Sequence, residues 1–456
     1  MLAPALLVHL VLAQAGTVVG EIVVVNDASG TAHSTSNLVA GVGSTLCAFA
    51  ARGLSNQRPD VFDVVVAFTT NPLTGGLISN AATPKGTLVR STSTGAVLGS
   101  PLIVLPPSEY GSPSRLAHCV FMGPVQNAPA NPDDDFRAPS FGGGTTPTGL
   151  TGIEVLGHEF GHQWLVQSAF DSGAGRSALH RADAREPANG TQMDRSSLAT
   201  LHYSHLADSE SVMFGNFITP LGNDQYRLSG GARKFGPLDQ YFMGLRSPAE
   251  TPPMRVLDDG SGMGLIGTPL RRGETETVTA QRELLVSVDD FIRVQGPRVP
   301  AFPAARRCFR VAFVLVTAQG TTATQAQLDL VDAYRRRWES WFTQATDQRA
   351  NSVTSLEVFA ECPEPALSVD AGVPAEDAGV EVDGGTEEVD AGTNPMMTPD
   401  AGDPEELGRV DTGKIRPGCG CSSGAEFAAC FALAFLSRRR IGPSPRVRRE
   451  RESDGY

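Results

Sequence analysis

The sequence predicts an α+β fold from three observations. Up to about residue 123, short β-branched or apolar runs are separated by Gly, Pro, Ser and Asn, the texture of strands and turns. Between residues 151 and 170 the apolar spacing changes to steps of three and four, which is helical. A buried-looking run, "CFRVAFVLVTAQ", then leads into a long amphipathic pattern over 323–349. Strands first and helices later pack as layers around a core. The expected layout is an N-terminal sheet, a central helix and a mostly helical C-terminal lobe.

The chain opens "MLAPALLVHLVLAQAGTVVG", an apolar run ending in Ala13-Gln14-Ala15, the small-x-small form of a signal-peptidase site. Residues 1–15 therefore read as a signal peptide, with a buried first strand or helix as the alternative. Residues 16–362 are the expected folded domain, with a candidate lobe boundary near 246–250. Within it, "GEIVVVND", "DVFDVVVAFTT", "SPLIVLPP" and "AHCVFMG" read as strands, and "NAPANPDDDFRAPSFGGGTTPTG" as a surface loop. Ile153, Leu156, Phe160, Trp164 and Leu165 mark the helical stretch. In the last helix Leu328, Val331, Tyr334, Trp338, Trp341, Phe342 and Ala345 form a stripe. Such a stripe is core packing and carries no chemistry.

Charge separates the domain from the C-terminal segments. The chain carries −13 overall, and 363–408 contain 13 Asp/Glu and no Lys/Arg. Residues 409–456 sum to +5, leaving −5 for 1–362. The folded part is close to neutral and has no basic footprint for nucleic acid. "DAG" recurs at Asp370, Asp377, Asp390 and Asp400 with little apolar surface to bury, so 363–416 read as a disordered acidic linker.

Cys47, Cys119, Cys308 and Cys362 lie in the domain; Cys419, Cys421 and Cys430 crowd the C-terminus. Four cysteines allow three pairings. Cys308 with Cys362 would tie the last strand-like segment to the end of the fold and leave Cys47 with Cys119. Four free buried thiols are the alternative.

The end of the chain reads "GCGCSSGAEFAACFALAFLSRRR". Its apolar stretch is shorter than the roughly 17 to 25 residues of a spanning helix, and the arginines behind it favour a cytoplasmic end. Spacer, cysteine motif, short apolar helix and arginine cluster together resemble the MYXO-CTERM sorting signals of myxobacterial surface proteins. The sorting signal is placed at 417–440; the resemblance covers 418–440 of it and implies processing near Cys419 or Cys421, transient membrane contact, and display at the cell surface or release. A basic tail, 441–456, comes last.

The most chemical stretch is "GIEVLGHEFGHQWL", which holds His158, Glu159 and His162. Histidines four apart project side by side from one helical face, as a zinc site requires. A carboxylate next to the first can take the proton of an attacking water. With only eight histidines in the chain, chance spacing is rare. The alternative is an exposed helix with an i,i+4 histidine pair. Gly157 and Gly161 are expected to leave room for a substrate.

A catalytic zinc needs a third protein ligand. The metzincin continuation fails, because Leu165 and Ser168 stand where Gly and His belong, and no thermolysin-type Asn-Glu-x-x-x-Asp is present. The candidates are His202, His205, Asp171 and Asp239. His202 precedes "DSESVMFGN", where Ser211-Val212-Met213 resembles the Met-containing turn beneath the zinc of several metallopeptidases. Tyr241 and Tyr203 are candidate oxyanion donors.

Six motifs stand in order: Arg115-Leu116, 120–123 "VFMG", the His158 to Trp164 helix, His202-Tyr203-Ser204, "SVMFGN" and "LDQYFMGL". This order resembles a family of exported proteins of myxobacteria and their neighbours, and its helix and Met-turn are similar to those of immune-inhibitor-type zinc peptidases. The resemblance implies a zincin-like fold, supports His202, and implies a Zn2+-dependent endopeptidase acting on protein or peptide. Export and C-terminal sorting machinery are the other partners expected. The competing reading is a non-catalytic surface-binding or adhesion protein that keeps the metal helix as structure.

Overall fold

The computed structural model describes residues 16–33, 42–70, 85–88, 107–139, 145–165, 168–173, 176–178, 202–258 and 270–366. The signal peptide, most of the linker, the sorting signal, the basic tail and the strand expected in "SPLIVLPP" lie outside them. Described residues up to Pro365, on both sides of 246–250, belong to one compact unit.

In chain order the elements are β1 (Gly16–Val19), β2 (Ile22–Asn26), α1 (Val42–Ser55), β3 (Val64–Thr69), β4 (Lys85–Leu88), β5 (His118–Pro124), β6 (Asp135–Pro139), β7 (Thr145–Thr151) and α2 (Gly152–Gly161). Then come β8 (Ala169–Asp171), β9 (Arg176–Ala178), β10 (Tyr203–Asp208), β11 (Phe214–Gly222), β12 (Gln225–Ser229), α3 (Pro237–Met243), β13 (Met254–Asp258), β14 (Thr275–Thr279) and β15 (Arg282–Val286). The chain closes with α4 (Val288–Gln295), β16 (Cys308–Thr317), α5 (Gln325–Ala345) and β17 (Asn351–Val353). The architecture is α+β.

The larger sheet has seven strands in the order β1-β2-β16-β3-β5-β4, with β17 beside β16. Strands β2, β16, β3 and β5 run parallel, while β1 and β4 are antiparallel to their neighbours. A parallel strand covered on both faces needs apolar residues at every position. That is why "CFRVAFVLVT" is buried along its whole length. Side chains alternate across the sheet: Val65 and Ala67 pack with α1, whereas Val64, Val66 and Phe68 pack with α2 and α5.

The predicted core stripe of α5 is there. Val331, Tyr334, Trp338, Trp341, Phe342 and Ala345 are buried, and Leu328 packs partly buried at the edge. Phe160 of α2 meets Trp338 at 5.0 Å and Phe342 at 5.3 Å between ring centroids, so α2 is clamped between the sheet and α5.

Two disulfides staple the unit. Cys47–Cys119 joins α1 to β5, and Cys308–Cys362 joins the start of β16 to the chain beyond β17. With partners 72 and 54 positions apart in sequence, each bridge stabilises by about 4 kcal/mol in the chain-entropy account.

Three expectations need correction. The part after α2 is not mostly helical: β14-β12-β11-β10-β13-β15 form a six-stranded sheet. Its outer strands hide because they are half-exposed and short, as in "TETVT" with only its alternate residues partly covered, which keeps local hydrophobicity low, while the buried β10 hides because its residues, "YSHLAD", are largely polar. The loop expected over 127–149 contains the β6–β7 hairpin. The helix expected to reach Phe170 ends at Gly161, and Ala169 already belongs to β8.

Candidate metal centre

Helix α2 begins on a capping box. Thr151 Oγ1 accepts the Glu154 N–H at 3.3 Å, and Glu154 Oε2 accepts the Thr151 N–H at 2.8 Å. Each satisfies a donor that the first helical turn leaves unpaired. Glu154 Oε1 also accepts the Arg233 N–H and an Arg272 guanidinium N–H, both at 2.7 Å. One buried carboxylate thereby fixes the start of α2 against the chain beyond β12.

The other end is set by a side chain from the sheet. His118 on β5 donates its Nε2–H to the Glu159 carbonyl at 2.8 Å, while the Gln163 N–H goes to Phe160 O. The helix therefore stops where an imidazole takes over its hydrogen bonding. Burial pushes His118 down to about 4 against the raising effect of that hydrogen bond, and its Nδ1 is buried without a partner.

Between these ends, His158, His162 and His202 offer ligand nitrogens all within 4.8 Å of one another. His158 donates Nδ1–H to Val212 O at 2.7 Å, which makes its Nε2 the nitrogen that carries the lone pair. That Nε2 stands 3.1 Å from His202 Nε2. Zinc–nitrogen bonds of about 2.0–2.1 Å at tetrahedral angles set ligand nitrogens about 3.3–3.4 Å apart, so the pair fits a shared cation. Burial also lowers His158 to about 4, keeping the imidazole neutral as ligation needs. Glu159 Oε2 lies 3.6 Å from His162 Nε2.

Phe214 braces the centre from the side. Its ring stacks on His158 at 4.9 Å and on His202 at 4.6 Å, although its φ of 82° is left-handed. A bulky residue there costs about 1–3 kcal/mol and persists only when its surroundings over-determine it. Beneath the centre runs the 211–213 turn: Ser211 Oγ accepts the Met213 N–H at 2.9 Å, and Met213 O accepts the Tyr203 N–H at 2.7 Å.

The glycines of the motif are packing devices, which corrects the expectation that they clear space for substrate. A Cβ on Gly157 would lie 2.0 Å from Trp341 Cη2, and one on Gly161 would lie 2.9 Å from Met213 Sδ. Both let other elements approach the helix closely.

Of the four candidates for third ligand, the structure brings His202 to the pair. His205 faces Asn216 at 3.0 Å and Glu276 at 3.3 Å. Asp171 pairs with Arg293 at 3.3 Å. Asp239 accepts the Tyr203 hydroxyl at 2.7 Å and the Gly236 N–H at 2.8 Å; burial outweighs these bonds and raises it to about 7. Tyr203 thus donates its one O–H to Asp239. Tyr241 is buried in α3 with its hydroxyl accepting the Arg298 N–H at 3.3 Å, the contact of a core tyrosine. Neither tyrosine enters the proposed chemistry.

No family model matches this chain, and no curated protein or solved structure is significantly similar to it. Glu154, His118 and Phe214 are the supporting residues that reading the sequence missed. Only Glu154 left a trace, as the last member of "TGIE" ahead of an apolar run, which is a capping-box pattern.

His118 yields a prediction about acid. Its folded value of about 4 lies below the ordinary 6.5, so the unfolded chain binds more protons between those values. Stability is fully present above 6.5 and is lost as pH falls towards 4. In metal-free buffer the denaturant-derived stability drop from pH 7 to pH 4.5 should shrink by about 2 kcal/mol in His118→Gln, which keeps an N–H donor for Glu159. An unchanged drop would exclude His118 as a source of the acid sensitivity.

Proposed function

We propose that this chain is an exported, surface-anchored zinc-dependent endopeptidase with a zincin-like centre, in which His158, His162 and His202 hold Zn2+. The observation that carries the reading is the convergence of three buried imidazole nitrogens beside a buried carboxylate. When bound, zinc supplies Lewis-acid polarisation of a peptide carbonyl and eases the ionisation of water. Glu159 takes the proton of the attacking water on its carboxylate and returns it to the leaving amine. Val212, through its carbonyl, holds His158 in the ligating tautomer. The opening apolar segment, the acidic spacer and the 417–440 signal support export and display, with protein or peptide as substrate.

One observation favours a second reading. His158, Glu159, His162 and His202 are all 8 % exposed or less, an enclosure that suits a metal held for folding in a non-catalytic surface-binding protein. Metal analysis of the full chain tests the shared premise: one zinc per chain, and none in His202→Ala, is the expected result. A wild-type chain that takes up no zinc would sink both readings. A His202→Ala variant that keeps it would remove His202 from the ligand set.

A further inference from the structure

Helix α3 carries a buried carboxylate, Asp239, that does more than cap it. Gly236 donates its N–H to Asp239 Oδ2 at 2.8 Å, which satisfies one donor of the first helical turn. A cap needs no more than that. Yet the same carboxylate accepts the Tyr203 hydroxyl at 2.7 Å on Oδ1, and a further hydrogen bond from the Ser211 hydroxyl. Tyr203, Ser211 and Asp239 are each 1 % exposed or less, so water does not compete for these bonds.

Both hydroxyls belong to segments that serve the metal ligands. Tyr203 follows His202 directly in the chain. Ser211 directly precedes Val212, whose carbonyl accepts His158 Nδ1–H at 2.7 Å. The two segments are also bonded to each other: the Tyr203 N–H goes to Met213 O at 2.7 Å, and the Met213 N–H goes to Ser211 Oγ at 2.9 Å. Asp239 closes this ring of hydrogen bonds and ties it to α3. The start of α3 is itself tightly seated, since a Cβ on Gly236 would lie 2.4 Å from Ser209 O.

We propose that Asp239 is a positioning residue of the metal centre. It binds no metal itself; it fixes His202 through Tyr203, and His158 through Ser211 and Val212, at the spacing a shared cation needs. Metal–ligand distances tolerate only about 0.2 Å, so a shift of either segment is felt in the 3.1 Å that separates His158 Nε2 from His202 Nε2. What Asp239 controls is then metal affinity as well as stability. The assignment rests on the zinc reading above.

The test is zinc titration of the metal-stripped full chain against a competing chelator, with the visible absorption of the Co2+-loaded chain as a second readout, of ligand geometry. The buffer is held at pH 8, above the value of about 7 to which burial raises Asp239. Asp239→Asn keeps the size of the side chain and one acceptor oxygen; it should bind zinc about 10- to 100-fold more weakly than wild type and shift the cobalt bands. Tyr203→Phe should move both readouts in the same direction, and adding it to Asp239→Asn should cost little more, because the two side chains act as one unit. Val314→Ala, buried with α1 on the other face of the larger sheet, should lower stability to denaturant and leave zinc affinity unchanged. A wild-type chain that takes up no zinc would sink the zinc reading and this assignment with it. Zinc bound equally well by wild type and Asp239→Asn, or an equal loss of affinity in Val314→Ala, would overturn the positioning role alone. Should Asp239→Asn fail to fold, wild-type affinity and an unshifted cobalt spectrum in Tyr203→Phe would overturn it as well.

Discussion

Glu159→Gln is expected to retain one zinc per chain and to lose about 100- to 10,000-fold in peptide cleavage, the usual contribution of a positioned general base. The amide has the size of the carboxylate and lies beside the ligands rather than among them, so metal content should not move. Cleavage of a peptide library by the wild-type and variant chains, each with its zinc measured, decides the matter. No cleavage by the zinc-loaded wild type would leave the metal with a folding role and turn the reading towards surface binding, and equal cleavage by the two chains would remove Glu159 as the general base. The effect should fall on kcat, because the proton is transferred only in the transition state.

Glu154→Ala is expected to cost about 3–5 kcal/mol of stability, the penalty for breaking a buried ionic network by removing one partner. Glu154 is 2 % exposed and receives the Thr151 N–H, the Arg233 N–H and an Arg272 N–H. Its loss strands buried donors at the start of the helix that carries His158 and is capped at its far end by His162. Arg233 is 2 % exposed and is lowered to about 10, desolvation outweighing the support that Glu154 gives it. Denaturant unfolding at neutral pH measures the loss. Glu154→Gln should recover part of it by keeping one acceptor, and a change below about 1 kcal/mol in the alanine variant would show that the network is dispensable.

Legibility in the sequence tracked the kind of burial. Strands covered on both faces announce themselves through unbroken apolar runs, so β2, β3, β5 and β16 stand where "IVVVN", "VVVAFT", "HCVFMGP" and "CFRVAFVLVT" lie. The stripe of α5 is equally plain, because its period is local. The outer strands of the second sheet were hidden by their exposure: "QYRLS" buries two residues in five, and neither composition nor a short window separates that from a loop. The end of α2 was hidden for another reason. Apolar spacing continues through Trp164 and Leu165, but His118, 41 residues upstream, takes the Glu159 carbonyl.

By itself the sequence determined the local chemistry: two imidazoles and a carboxylate on one helical face, an acidic segment without core-forming residues, and parallel strands rich in Val. Spacing along a helix and burial along a strand are short-range properties, and residues four apart need no fold to tell them that they are neighbours. Only the tertiary structure decided which distant residue joins them. His202 meets His158 across 44 positions of sequence, while His205 and Asp239, equally able to bind a metal, are committed to Asn216 and Tyr203. The choice rests on how β10 and the 211–213 turn pack against α2, and packing between elements is set by shape and hydrogen-bond accounting over the whole core.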